Sequence, residues 1–238
     1  MTLYADTRSC LSVFTKTNHY LRYCSHAELT DPPRLLERVK PLSQRWAKEI
    51  LNLLRVQWEV RGQTDDNPVL LLGSHVSYLD IPLLLSATHT SFVTKEEIKQ
   101  WPIFGNAARR MDSVFLNRGS KDSRKRVGDA VYEHVCVRKR RLTIFPSGTT
   151  CINEEKEWRW GAFRIAAEYD LRVQPFRILY TPARLAAFIG SDSFVPHLFN
   201  LVRQNGLRAV LEFHEPVKIT HPEKDCRKWQ RWAQAASA

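Results

Sequence analysis

Apolar residues along this 238-residue chain recur at two different spacings. Leu35, Val39, Leu42, Trp46, Ile50 and Leu53 follow one another at three- and four-residue intervals, with Arg34, Arg38, Lys40, Arg45, Lys48 and Arg55 between them. That period predicts a basic amphipathic helix. Asp31-Pro32-Pro33 supplies its start, a capping carboxylate followed by proline in the first turn, and Pro41 predicts a kink or division. Before it, residues 1–30 are polar with scattered aromatics (Tyr4, Phe14, Tyr20, Tyr23) and are assigned no role. Beyond it, short apolar runs bounded by turn residues predict strands over 56–60 (alternating and half-buried), 69–72, 91–93, 114–116, 142–145, 173–179 and 208–214. Helical patterns fall between them: one begun near Ser77 and running to 87, a brief one at 95–100, one opening after Gly119 and running to about 137, and others at 158–169 and 223–235. Residues 181–206 predict nothing regular. Strands alternating with helices define an α/β fold. We expect a single domain with a mixed central sheet flanked by helices over residues 56–238, preceded by an N-terminal amphipathic helical segment within residues 1–55.

The run 69–72 is bounded by Pro68 and Gly73, and Ser74, His75, Ser77 and Asp80 follow directly. An imidazole therefore sits in the turn that leaves a strand, where loops carry chemistry on a rigid scaffold. One turn of helix folds Asp80 back toward the strand end, within reach of the ring. A carboxylate accepting from one ring nitrogen fixes the tautomer and leaves the other as a base. Spacing alone fits a core histidine as well as a catalytic one. His26 and Asp31 repeat it without a preceding apolar run, and read as surface.

The wider pattern separates the two. His75-Val76-Ser77-Tyr78-Leu79-Asp80 resembles the first motif, Asn-His-x4-Asp, of the glycerolipid acyltransferases of the PlsC type. Val114-Phe115-Leu116-Asn117-Arg118 resembles the second motif, Phe145-Pro146-Ser147-Gly148-Thr149 the third, and Val173-Gln174-Pro175-Phe176 the fourth. Lys95-Glu96 with Trp101-Pro102-Ile103-Phe104-Gly105 is similar to the spacer between the first two, and Arg159 with Gly161-Ala162-Phe163 to a basic-Gly-Ala-Phe segment. The blocks occur in the family's order over residues 56–215. Trp101, Ile103 and Phe104 either wall a chain-binding cleft or pack in the core.

The resemblance implies transfer of a fatty acyl group from a thioester to a lipid hydroxyl, with His75 as general base and Asp80 orienting it. Arg118, Ser147, Gly148, Thr149, Lys121 and Arg159 are the implied substrate-binding positions, Arg118 as a phosphate contact. Lys121 and Arg124 open a basic helix start, a place where backbone amides hold phosphate; a solvated basic face reads equally well there. Gly148 lets backbone approach a ligand closely, and amides around it are candidates for an oxyanion site. The implied co-substrate is acyl-CoA or acyl carrier protein, with no bound metal or redox cofactor. The implied acceptor is a lysophospholipid, first 1-acylglycerol-3-phosphate. Ser74 replaces the family's asparagine, and Ser147-Gly148-Thr149-Thr150 stands where the family has Glu-Gly-Thr-Arg. The loss of a carboxylate and a guanidinium, the second a bidentate donor that serine and threonine do not replace, opens acceptor identity to another lysophospholipid or a lyso-aminolipid.

Composition limits the rest. The formal net charge of +11 favours anionic partners, here a membrane surface bearing anionic phospholipid. The tryptophans and basic residues form no nucleic-acid motif. Five scattered cysteines without Cys-x-x-Cys spacing point to a reducing compartment and no zinc site. No secretory signal is apparent at the N-terminus, and no run reaches the roughly 18 apolar residues a membrane span needs. The expected location is therefore peripheral, on the cytoplasmic side of a membrane. Two other classes share these features: a lipid-binding module without catalysis, and a hydrolase with Ser147 as nucleophile, although Phe-Pro-Ser-Gly-Thr is not the Gly-x-Ser-x-Gly elbow.

Overall fold

A computed structural model describes residues 2–30, 35–65, 67, 69–101, 104–117, 121–152 and 155–235. In chain order the elements are α1 (Thr2–Thr30), α2 (Leu35–Leu53), β1 (Gln57–Arg61), β2 (Leu70–Gly73), α3 (Asp80–Ala87), β3 (Ser91–Lys95), α4 (Phe104–Arg110) and β4 (Val114–Leu116). Then follow α5 (Lys121–Tyr132), β5 (Leu142–Ile144), α6 (Gly161–Glu168), β6 (Arg172–Thr181), α7 (Ala183–Ala186), α8 (Phe194–Gln204), β7 (Arg208–Phe213), β8 (Val217–Lys218) and α9 (Pro222–Gln234). A 3₁₀ turn, Glu96–Gln100, follows β3, and a π turn, Glu133–Val137, extends α5.

The described strands form one mixed sheet in the order β1-β7-β6-β2-β5-β3-β4, with β8 also on β6. β2 lies inside it, parallel to β5 on one side and to β6 on the other. β6 pairs antiparallel with β7, and β7 parallel with β1. β2 is apolar without interruption because both of its faces are buried, as parallel strands covered by helices require. Leu71 enters one core with Ile50 and Leu51 of α2, Leu83 to Leu85 of α3 and Leu198, Leu201 and Val202 of α8. Leu70 and Leu72 face the opposite core, with Val131 of α5, Phe163 and Ala166 of α6 and Trp229 of α9.

Gly73 closes β2 where β6 comes nearest. A Cβ there would stand 2.2 Å from the Phe176 carbonyl oxygen and 2.6 Å from its ring. Gly73→Ala is therefore expected to cost about 3 kcal/mol, the upper range for overpacking a core, measured as a fall in the urea midpoint at constant slope. An unchanged midpoint would show that β2 and β6 can separate freely.

Several expectations need correction. Residues 2–30 form a helix, α1, whose Tyr20 stacks on Trp46 of α2 with ring centroids 5.4 Å apart. The Trp46 indole also donates to Thr17 Oγ1 at 3.2 Å, and Lys16 pairs with Glu49 at 2.7 Å. α2 runs unbroken through Pro41 instead of dividing there; its proposed start at residues 31–34 lies outside the described residues. β1 is not half-buried. It is an edge strand, exposed except at Trp58. The helix after His75 starts at Asp80, not near Ser77, because the Asp80 carboxylate holds the Val76 and Ser77 amides in a loop around itself. Residues 181–206 are not irregular: α7 and α8 occupy them, and α8 buries Leu198, Leu201 and Val202 at helical spacing. Trp101 is 45% exposed, so it does not pack in the core; Pro102 and Ile103 lie outside the described residues.

Candidate active site

Strands β2, β3, β4, β5 and β6 all run the same way, so their C-terminal ends open on one edge of the sheet. The turn leaving β2 lies on that edge. Ser74, 1% exposed, fastens it there: its Oγ accepts the Ile178 N–H of β6 at 2.7 Å. The residue that replaces the asparagine of the first motif is thus a structural tie.

His75 and Asp80 meet as expected. His75 Nδ1 lies 2.7 Å from Asp80 Oδ2, and the same oxygen accepts the Val76 N–H at 2.7 Å and the Ser77 N–H at 3.1 Å. The aspartate side chain is 0% exposed and the histidine side chain 20% exposed. A carboxylate can only accept in this bond, so Nδ1 carries the proton and Nε2 is the basic nitrogen.

The third motif is folded against this pair. The Phe145 ring, directly after β5, stacks on the imidazole at 4.0 Å between centroids and 11° between planes. The Cys151 N–H donates to the His75 carbonyl at 2.9 Å. Between these two anchors the turn closes through the Gly148 N–H, which donates to Phe145 O at 2.9 Å, with Gly148 at φ +68°. Gly148 is needed there for its backbone conformation. Its own amide is spent on the turn. The Ser147 hydroxyl donates to Thr149 O at 2.8 Å, inside the same turn and not to an imidazole. The Thr150 hydroxyl donates to the Phe188 carbonyl, and the Phe188 N–H to the Val76 carbonyl at 3.1 Å.

Ser147, Gly148 and Thr149 are therefore brought to the His75 turn. Arg159 is tied to it by backbone, its N–H donating to Pro146 O at 3.1 Å, while its side chain is exposed. Arg118 lies outside the described residues. Lys121 is described by its backbone alone, as the first residue of α5. Among the described residues no three His, Cys, Asp or Glu side chains gather as metal ligands.

Two further partners have no signal in the sequence. Tyr180 of β6 donates its hydroxyl to Asp80 Oδ1 at 2.8 Å across 100 residues of chain. Tyr78, inside the first motif, donates to Nδ1 of His197 on α8 at 2.9 Å, while His197 Nε2 donates to Ala187 O at 3.0 Å. Burial pushes the His197 imidazole below its ordinary range and the Tyr78 phenol well above its own, so this bond joins two neutral groups. It pins α8 to the loop between His75 and Asp80. Leu198, Leu201 and Val202 carry a helical spacing that the expectation of irregular chain over 181–206 passed over, and the docking of α8 on Tyr78 has no local signal at all.

A mixed sheet that presents an imidazole and a buried carboxylate at the C-terminal edge of its parallel strands has the architecture of an α/β enzyme equipped for proton transfer. The family model described as Acyltransferase matches residues 52–179, and the chain belongs to that family. It is an acyltransferase. Among its relatives, the lyso-ornithine lipid O-acyltransferase of Pseudomonas aeruginosa is 34% identical over 191 residues, spanning 75% of this chain and 72% of that protein. The 1-acyl-sn-glycerol-3-phosphate acyltransferase of Neisseria meningitidis is 33% identical over 103 residues, 42% of this chain and 40% of that one. The crystal structure of PlsC, the 1-acyl-sn-glycerophosphate acyltransferase of Thermotoga maritima, superposes with a TM-score of 0.75 over 99% of this chain and 96% of that one, at 17% identity, and shares the fold. Among the described residues no helix is long and apolar enough to cross a membrane.

Proposed function

We propose that the protein esterifies the hydroxyl of a lyso-aminolipid of the lyso-ornithine type with a fatty acyl group from a thioester, acyl-CoA or acyl carrier protein. His75 Nε2 takes the acceptor hydroxyl proton as that oxygen bonds to the thioester carbonyl carbon. The tetrahedral adduct collapses with cleavage of the C–S bond, and the imidazolium returns the proton to the leaving thiolate. The products are an ester and a free thiol, and no protein nucleophile intervenes. Asp80 holds the ring in the Nδ1–H tautomer and offsets the imidazolium charge.

One observation carries the choice of acceptor: the hydroxyls of Ser147 and Thr150 are turned onto the protein's own carbonyls, those of Thr149 and Phe188. The positions where the resembling family has a carboxylate and a guanidinium for a phosphorylated glycerol have no charge here. A phosphate-free acceptor needs none, and the Pseudomonas relative agrees with that reading. The second reading, 1-acylglycerol-3-phosphate, rests on the Neisseria relative and on Arg118.

The reading places residues 56–238 as the acyltransferase domain and residues 1–55 against a membrane bearing anionic phospholipid, on its cytoplasmic side. Its support is the net charge of +11 and the apolar side chains of Leu11 and Tyr23, 63% and 40% exposed on α1.

The test offers purified protein a labelled acyl-CoA and a labelled acyl carrier protein with a panel of lyso-lipids. Lyso-ornithine lipid is expected to exceed lysophosphatidic acid in kcat/KM by roughly tenfold or more, the scale on which a mismatched polar group is rejected. Preference for lysophosphatidic acid with both donors would reverse the acceptor assignment. In the same assay Ser147→Ala is expected to retain turnover within about threefold, because its hydroxyl serves one turn hydrogen bond of ordinary strength. A variant without turnover would revive the hydrolase reading.

A further inference from the structure

We infer that Tyr180 is a positioning residue for the His75–Asp80 pair; this rests on the catalytic reading of that pair given above. The Asp80 carboxylate receives four hydrogen bonds, distributed unevenly. The His75 ring and the amides of Val76 and Ser77 all converge on Oδ2. Oδ1 accepts from the Tyr180 hydroxyl. All three hold the same oxygen, and rotation about the Cβ–Cγ bond carries both oxygens together, so these donors restrain the carboxylate from one side only. A fourth donor on the other oxygen fixes that rotation, and with it the direction of the Oδ2 lone pair that holds the imidazole.

Tyr180 is suited to this by where it is carried. His75 and its amide neighbours belong to a loop, whereas Tyr180 lies on β6, in register opposite Ala209 of β7 and within the sheet that also anchors Ser74 through Ile178. Its position is therefore set by strand pairing and not by the conformation of the loop it steadies. The residue is 7% exposed and packs in the core that contains Leu71, Leu79 and Leu83, so it meets Asp80 and not a substrate. Burial first, and then the neighbouring Asp80 carboxylate, hold the phenol well above its ordinary range, so it stays a proton donor wherever the enzyme works. A rigid donor behind the orienting carboxylate is what a loop-borne imidazole needs to present Nε2 in one direction.

Tyr180→Phe keeps the ring and its packing and removes only the hydroxyl. Assayed in the full chain beside His75→Ala, with a thioester donor and a lyso-lipid acceptor, it is expected to lose roughly tenfold in kcat, within the range that small misplacements of a reacting group produce. The KM of the acceptor is expected to stay unchanged, since Tyr180 does not touch it. The His75 Nδ1–H proton, followed by NMR on protein with labelled histidine, is expected to move upfield or broaden as its bond to Asp80 loosens; a purely structural role for the phenol would leave that resonance in place. A Tyr180→Phe enzyme with wild-type kcat overturns the inference, as does a variant with reduced kcat whose Nδ1–H resonance has not moved. Should His75→Ala turn over normally, the catalytic reading of the pair falls, and this inference with it. An inactive His75→Ala beside a normal Tyr180→Phe removes the inference alone.

Discussion

Replacing His75 with alanine is expected to reduce acyl transfer about 10³-fold while leaving the protein folded, within the range attributed to a positioned general base. The imidazole is the group at the sheet edge with a fixed tautomer, its Nδ1–H held by Asp80 and its ring stacked on Phe145. Removing it leaves the thioester without a partner to take the acceptor proton. Little of the fold depends on it: Asp80 keeps the Val76 and Ser77 amides and the Tyr180 hydroxyl, and the ring itself is partly exposed. Single-turnover measurement with labelled thioester, alongside thermal unfolding, checks both halves. A folded variant that loses less than tenfold would exclude His75 as the base and favour the lipid-binding module.

Asp80 is expected to separate chemistry from stability according to the residue that replaces it. In Asp80→Asn the amide oxygen can occupy the Oδ2 position and accept the same three donors, while the Tyr180 hydroxyl rotates to accept from the new NH₂ group. The fold survives, but the carboxylate charge that offsets the imidazolium is gone, and kcat is expected to fall by roughly 10³ to 10⁴, as when a buried triad aspartate is neutralised. Asp80→Ala instead strands a ring N–H, two amides and a phenol at a site that is 0% exposed. Each buried donor left unsatisfied costs about 1–3 kcal/mol and the costs do not add fully, so a total loss of about 3–5 kcal/mol is expected. Chemical denaturation of both variants distinguishes the two effects. Equal stability of the two would show that the four bonds to Asp80 contribute nothing to the fold.

Legibility in the sequence followed chain distance. His75 and Asp80 lie five residues apart after an apolar run that reads as a strand, and the short loop closed around the Asp80 carboxylate brings the second back to the first. Phe145 to Thr149 was readable for the same reason, as a turn at a strand end. The helix start near Ser77 was misplaced by three residues because helical pattern ignores a carboxylate that folds back onto the amides before it. α1 was missed because its buried positions, among them Val13, Tyr20 and Leu21, are sparse among polar ones. They make a helix only with α2 and α8 to cover them.

Tyr180 shows the other limit. Nothing within β6 marks it, because its partner is 100 residues away and their meeting depends on β6 pairing with β2. The same pairing decides that Ser74 is a tie. The folding of the turn at Gly148 likewise commits Ser147 and Thr150 to backbone carbonyls.

The sequence by itself determined the α/β class, the order of most elements and the His75–Asp80 pair, from spacings that bond geometry and the rise per residue make local, and it pointed to the acyltransferase family through the resemblance of four ordered motifs. Tertiary structure alone decided the strand order, the second donor on Asp80, the docking of α8 on Tyr78 and the orientation of the Ser147 and Thr150 hydroxyls. These depend on which distant segments must pair to bury both faces of β2, a choice made by the whole core and written in no single stretch of the chain.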